Sequence, residues 1–194
     1  VLHERLLLCE MLAHNGQREL IREHLRTLET TDEDVLGYRE NWFQLLAADD
    51  ARHNDPFEPT FLIDPPEVVL AHREAMRLQA TGATAEAEEL LEEVAENAPW
   101  QEGHVDGREF DGCRDADDVL ELVLQAFIED QHLWIPLEQI RKLRMADEEV
   151  LRDRVYRPAK VWLIDGSEWE IVIPALYANS HLHEEEDVRM GSAT

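Results

Sequence analysis

The residues best equipped for chemistry stand near the end of the chain. His181 and His183 are two positions apart and are followed by Glu184, Glu185, Glu186 and Asp187. Two imidazoles on one strand face, backed by carboxylates, are donors that a transition metal accepts. No third ligand follows at a recognisable spacing, so a solvated acidic tail is the preferred reading and no metal is expected. Asp115, Asp117 and Asp118 form a second acidic group, of a kind that acid–base or cation chemistry uses. They precede an apolar run, and carboxylates at a helix start accept hydrogen bonds from exposed amides, so capping is their expected role. Arg152, Asp153 and Arg154 form a third constellation. It lacks a nucleophile or base to complete a catalytic set and reads as an ion pair tying a helical turn to the strands after it. Neither a Gly-rich phosphate loop nor a nucleophile elbow nor a Ser-His-Asp order is present. Cys9 and Cys113 have no CxxC spacing and are expected to be small buried hydrophobes in a reducing compartment. No catalytic residue and no cofactor is assigned.

Bulk properties narrow the partners. The 194 residues carry a net charge of −26, with 44% apolar residues and only two lysines, Lys142 and Lys160. Nucleic acid and anionic membranes bind through clustered Lys and Arg, so this balance argues against both. Two explanations of the acidity remain open: adaptation to high salt, or a surface for a basic partner. No apolar run reaches bilayer length, and the first residues do not follow a signal-peptide pattern. A cytoplasmic location is the expectation.

The elements that must position these residues divide at residue 99. Apolar residues at three- to four-residue spacing predict two helices within residues 2–28, broken at Asn15-Gly16. Asp32 is placed to cap a longer helix carrying Val35, Tyr38, Trp42, Leu45 and Leu46 on one face. Trp42 is assigned to the core, and Tyr38, Arg39 and Phe43 are the candidate partner-binding residues. The proline-rich segment 53–66 reads as a loop packing through Phe57, Phe61 and Leu62. A second helix pair follows, from Pro66 at a first helical position to Gly82, and from Thr84 to Ala98-Pro99. Helix, glycine turn, alanine-rich helix and closing proline are the pattern of a tetratricopeptide-type repeat.

Beyond residue 99 glycines multiply and the pattern changes to strands. Residues 100–113 predict a short hairpin, Val119 to Phe127 a helix behind the aspartates, and 133–135 and 140–145 two strands. A helical turn at 148–153 leads to two apolar arms joined at Asp165-Gly166, a strong hairpin signal. Val161, Leu163, Trp169, Ile171 and Ile173 alternate and are expected to face the core. The fold class is therefore a multi-domain α and α+β chain. Residues 1–99 form a TPR-like α-α superhelix, and residues 100–194 a small α+β domain with a mostly antiparallel sheet of five or six strands around one main helix.

With those residues in view, the chain resembles the ImpE family, also called SciE-type or TagJ proteins of type VI secretion. The matching string runs through Trp134-Ile135-Pro136, Leu151-Arg152-Asp153, Tyr156, Pro158-Ala159, Ile173-Pro174, Tyr177 and Ser180. Asp111-Gly112 and Asp118-Val119-Leu120 depart from the family pattern. In this chain Trp134, Pro136, Arg152, Asp153, Tyr156, Pro158, Pro174 and Tyr177 are the structural-motif residues, with Trp162, Trp169, Pro174 and Tyr177 expected as packed scaffold. The resemblance implies a cytoplasmic, non-enzymatic accessory role at the contractile sheath, through contact with its small subunit and linkage of that subunit to the disassembly ATPase. A stacked-helix groove would take that partner. The competing reading is an unrecognised enzymatic or small-ligand site in the C-terminal half, which requires Asp115, Arg152, Asp153 and Tyr177 to line one pocket.

Overall fold

Helix formation at the N-terminus follows the expected breaks. In a computed structural model, which describes residues 2–189, α1 (Leu2–His14) and α2 (Arg18–Arg26) pack as an antiparallel pair around a turn at Gly16, whose φ is 64°. Asp32 caps α3 (Glu33–Asn54), its carboxylate accepting from the amides of Asp34 and Val35. Pro66 is the N-cap of α4 (Glu67–Thr81), one position earlier than expected, and Gly82 closes that helix in the left-handed conformation. α5 (Thr84–Asn97) packs back along α4.

After α5 come seven strands. β1 (Glu102–Val105) and β2 (Arg108–Asp111) form a separate hairpin. Its turn residues, Asp106 and Gly107, both have positive φ, as a type I′ turn requires. The remaining strands, β3 (Val123–Ile128), β4 (Gln131–Pro136), β5 (Ile140–Met145), β6 (Tyr156–Leu163) and β7 (Glu168–Pro174), form one antiparallel sheet in the order β4-β3-β7-β6-β5. The hairpin expected at Asp165-Gly166 is β6–β7.

The helix expected over 119–127 is absent, and this corrects the reading of the aspartates. Asp115 and Asp117 accept from the amides of Asp117 and Val119, both at 2.8 Å, so they build successive turns rather than a helix start. The apolar run after them enters β3, whose Val123, Ala126 and Phe127 are buried on the two faces of an interior strand. A strand buried on both sides loses its period of two and imitates helical spacing. Among the described residues the C-terminal half holds no main helix, only 3-10 turns and the four-residue α6 (Glu186–Arg189).

The two halves share one core. Trp42, Leu45, Leu46 and Ala48 of α3 lie with Cys9, Ala13, Ile21 and Leu25 of the first helix pair against Phe127 and Tyr156 of the sheet. On another stretch of the sheet Val69 of α4 packs with Trp134, Leu120 and Val123. The opposite sheet face gathers Val161, Leu163 and Ile171, covered in part by Leu62 and Ile63 of the proline-rich loop. That loop also guards the β4 edge, where Thr60 exchanges two backbone hydrogen bonds with His132 and Trp134. β5 forms the other edge and carries the exposed cations Arg141, Lys142 and Arg144, which discourage strand addition. Trp169, expected in the core, is 40% exposed at the hairpin end, and Cys113 is exposed rather than buried.

Candidate interaction site

The motif residues converge on a joint between α3 and the sheet. Asp49 and Arg52 lie one helical turn apart, both nearly excluded from solvent, and pair at 2.6 Å. Tyr156 donates its hydroxyl to Asp49 at 3.2 Å, and Arg18 reaches the same carboxylate at 3.4 Å. Arg52 also donates to the Leu176 carbonyl at 3.0 Å and stands 5.6 Å over the Phe127 ring. Beside it the Gln125 amide donates to His132 Nε2 at 2.9 Å. Burial, aided by the Arg52 charge, pulls the His132 pKa down to about 4, so this imidazole is neutral at ordinary pH. Burial likewise pushes the Tyr156 hydroxyl upward. Closed, desolvated and mutually bonded, these groups form a structural lock.

The remaining motif residues divide between this joint and other parts of the sheet. Arg152 donates to Asn41 at 3.0 Å and lies over the Tyr38 and Trp42 rings at 5.1 and 5.8 Å. Asp153 is buried and accepts from the amides of Glu149 and Val150, holding the 3-10 turn ahead of β6. Pro174 pairs with Tyr156 in register, Pro158 is half-buried on β6, and Trp134 and Pro136 are buried in β4. Tyr177 departs from the packed role expected of it: it is 46% exposed and donates to Asp115 at 2.5 Å. Burial and that carboxylate push its pKa up to about 12. Asp115 therefore meets Tyr177, whereas Arg152 and Asp153 lie with α3 and the 3-10 turn. The four side chains do not line one pocket.

The candidate partner residues are occupied within the fold. Tyr38 donates to Glu10 at 2.7 Å, Arg39 to the Leu28 carbonyl at 3.3 Å, and Phe43 packs against the helical core. His183 accepts from the Glu185 amide in the tail, and the His181 ring lies over Gly16. Among the described residues no three His, Cys, Asp or Glu side chains are grouped to hold a metal.

A large concavity lies elsewhere, where α4 and α5 meet the β1–β2 hairpin. It is a groove of about 750 Å³ lined by Val68, Ala95, Ala98, Pro99, Trp100, Leu122 and Leu137. Trp100 forms one wall. Its indole donates to Asp111 at 2.6 Å and lies so close over Gly112 that a Cβ there would sit 2.7 Å from the ring. Gly112 also has φ 105°, so glycine is required twice over. Across the hairpin Phe110 covers Gly103 in the same manner. Arg114 and Glu121 pair at 2.9 Å on the rim, and Glu138 Oε1 is buried without a hydrogen-bond partner. Sequence reasoning missed both the groove and the Asp49–Arg52 pair. The signal for the pair was an Asp and an Arg at i,i+3 among alanines, on a helix otherwise read only for its aromatic face.

Comparison with known proteins agrees with this architecture. The family model described as ImpE protein matches residues 107–194. Over 193 residues the chain is 26% identical to the type VI secretion system accessory component TagJ of Pseudomonas aeruginosa, spanning 98% of this chain and 69% of that protein. The crystal structure of protein VPA1032 from Vibrio parahaemolyticus superposes with a TM-score of 0.81 at 19% identity, spanning 97% of this chain and 71% of that one. At that identity the likeness speaks for the fold.

Proposed function

We propose that the chain is a member of the ImpE family, as the match over residues 107–194 and the likeness to TagJ support, and that it is a non-enzymatic accessory component of a type VI secretion system. In this role it binds a sheath component, the small sheath subunit, through its helical half, where the α1–α2 and α4–α5 pairs act as TPR-like units. One observation carries the reading: the similarity to the accessory component TagJ runs through helices and sheet alike, over 98% of this chain. The scatter of Asp115, Arg152, Asp153 and Tyr177 into two separate contacts supports the non-enzymatic part. A cytoplasmic location accords with that role, and among the described residues no helix is long and apolar enough to cross a membrane.

The test uses the whole chain. Deleting the helices would strip Phe127 and Tyr156 of their cover and unfold the sheet, so truncation is uninformative. Immobilised full-length protein is expected to recover purified small sheath subunit in stoichiometric amount. Failure to recover it, with both proteins folded by circular dichroism, overturns the proposal.

A further inference from the structure

We infer that the groove between α4, α5 and the β1–β2 hairpin is a docking site for a segment of a protein partner that carries an apolar stripe flanked by lysine or arginine. The inference rests on the reading of the chain as a protein-binding accessory component and assigns that binding a place and a chemistry.

Shape comes first. The groove of about 750 Å³ continues along the α4–α5 seam into a cleft of about 180 Å³, with Val68 lining both. An elongated, open channel suits an extended or helical segment better than a compact ligand. Ala71, Ala95 and Ala98 along it are short side chains that allow a partner backbone to approach closely. At the far end Trp100, 71% exposed, presents an indole ring whose own hydrogen bond is already made. Rigid aromatic walls of this kind anchor apolar side chains.

Charge then selects the occupant. The lining carries five carboxylates, Glu67, Glu93, Asp111, Glu121 and Glu138, against Arg114 alone. Arg114 is already paired with Glu121, and Asp111 with Trp100. Glu67, Glu93 and Glu138 have no ion pair among the described residues, so the lining keeps uncompensated negative charge. A lysine or arginine entering the groove meets that negative charge, and an acidic segment would be repelled. A second copy of this chain, at net charge −26, is a poor occupant.

Cys113 lines the groove and is exposed, whereas Cys9 is fully buried with its thiol pushed up to about 11, so native alkylation reports on the groove. The rate of Cys113 modification by iodoacetamide, followed by mass spectrometry, is measured with two synthetic peptides of equal positive charge. One has leucines at helical spacing among lysines, and in the other serines replace the leucines. The leucine peptide is expected to protect Cys113 saturably and to bind at least about tenfold more tightly than the serine peptide by calorimetry. Trp100→Ala is expected to weaken it by about tenfold or more, and Glu138→Gln by several-fold. Equal binding of both peptides, no protection, or undiminished binding by the two variants overturns the site. Concentration-dependent dimerisation lost in Trp100→Ala would assign the groove to a second copy and overturn it as well. In a complex with the small sheath subunit, unchanged Cys113 alkylation sinks the groove and leaves the proposed function standing. Peptide docking without recovery of that subunit does the reverse.

Discussion

The joint at α3 and the groove at α5 treat polar groups in opposite ways. At the joint Asp49, Arg52 and Tyr156 are withdrawn from water and bonded to one another. At the groove Trp100 faces solvent with only its indole N–H engaged, by Asp111. A buried charge is tolerated only when its partners are in place, so the joint is rigid by necessity. An open aromatic wall leaves apolar area that nothing within the chain covers. The contrast sets the most family-like string, from Trp134 to Tyr177, apart from the groove. Within that string Arg152 and Tyr156 build the joint with α3.

This contrast can be broken most directly at the joint. Asp49→Ala leaves Arg52 as a buried unpaired cation and is expected to cost about 3–5 kcal/mol in urea unfolding; a loss under about 1 kcal/mol would show that the joint is not locked. Acid comes next. The His132 pKa is depressed in the folded protein, so its unfolded form takes up protons first as pH falls. Its contribution is complete above about pH 6.5, where both states are neutral, and fades as pH drops toward about 4. A shift of this size corresponds to a loss on the order of 3 kcal/mol. A His132→Gln variant is expected to flatten the stability profile across that window, and an unchanged slope would assign the acid sensitivity elsewhere.

Gly112→Ala tests the architecture of the groove. Positive φ and the overlying Trp100 ring both oppose a side chain, and a cost of about 1–3 kcal/mol is expected, with a changed near-ultraviolet signal from the indole. The smallest stability effect belongs to Trp100→Ala, expected below about 1 kcal/mol because the ring is largely exposed, with partner capture impaired all the same. A large destabilisation there would place Trp100 with the joint and erase the distinction.

How far the sequence reached depended on the range of the interaction. The Asp32 cap, Gly82 at the end of α4 and the β6–β7 turn at Asp165-Gly166 were legible because each signal lies within a few residues of what it determines. The aspartates at 115–118 misled, since carboxylates that accept from amides two residues on serve turns and helix starts equally. β3 was mistaken for a helix because both of its faces are buried, Val123 and Phe127 in the clusters that take in the helices and Ala126 in the one covered by the proline-rich loop.

The sequence by itself determined the helix pairs, the hairpins and the acidic surface, since these are written in local spacing and composition, and it carried the resemblance to the ImpE family. Tertiary structure alone decided that Tyr156 would meet Asp49 across 107 positions, and that helices and sheet would share one core. It also decided that Trp100 would stand open beside α5 while Trp42 closed against the sheet. An indole is apolar wherever it occurs; whether it becomes core or contact surface depends on what the rest of the chain brings over it.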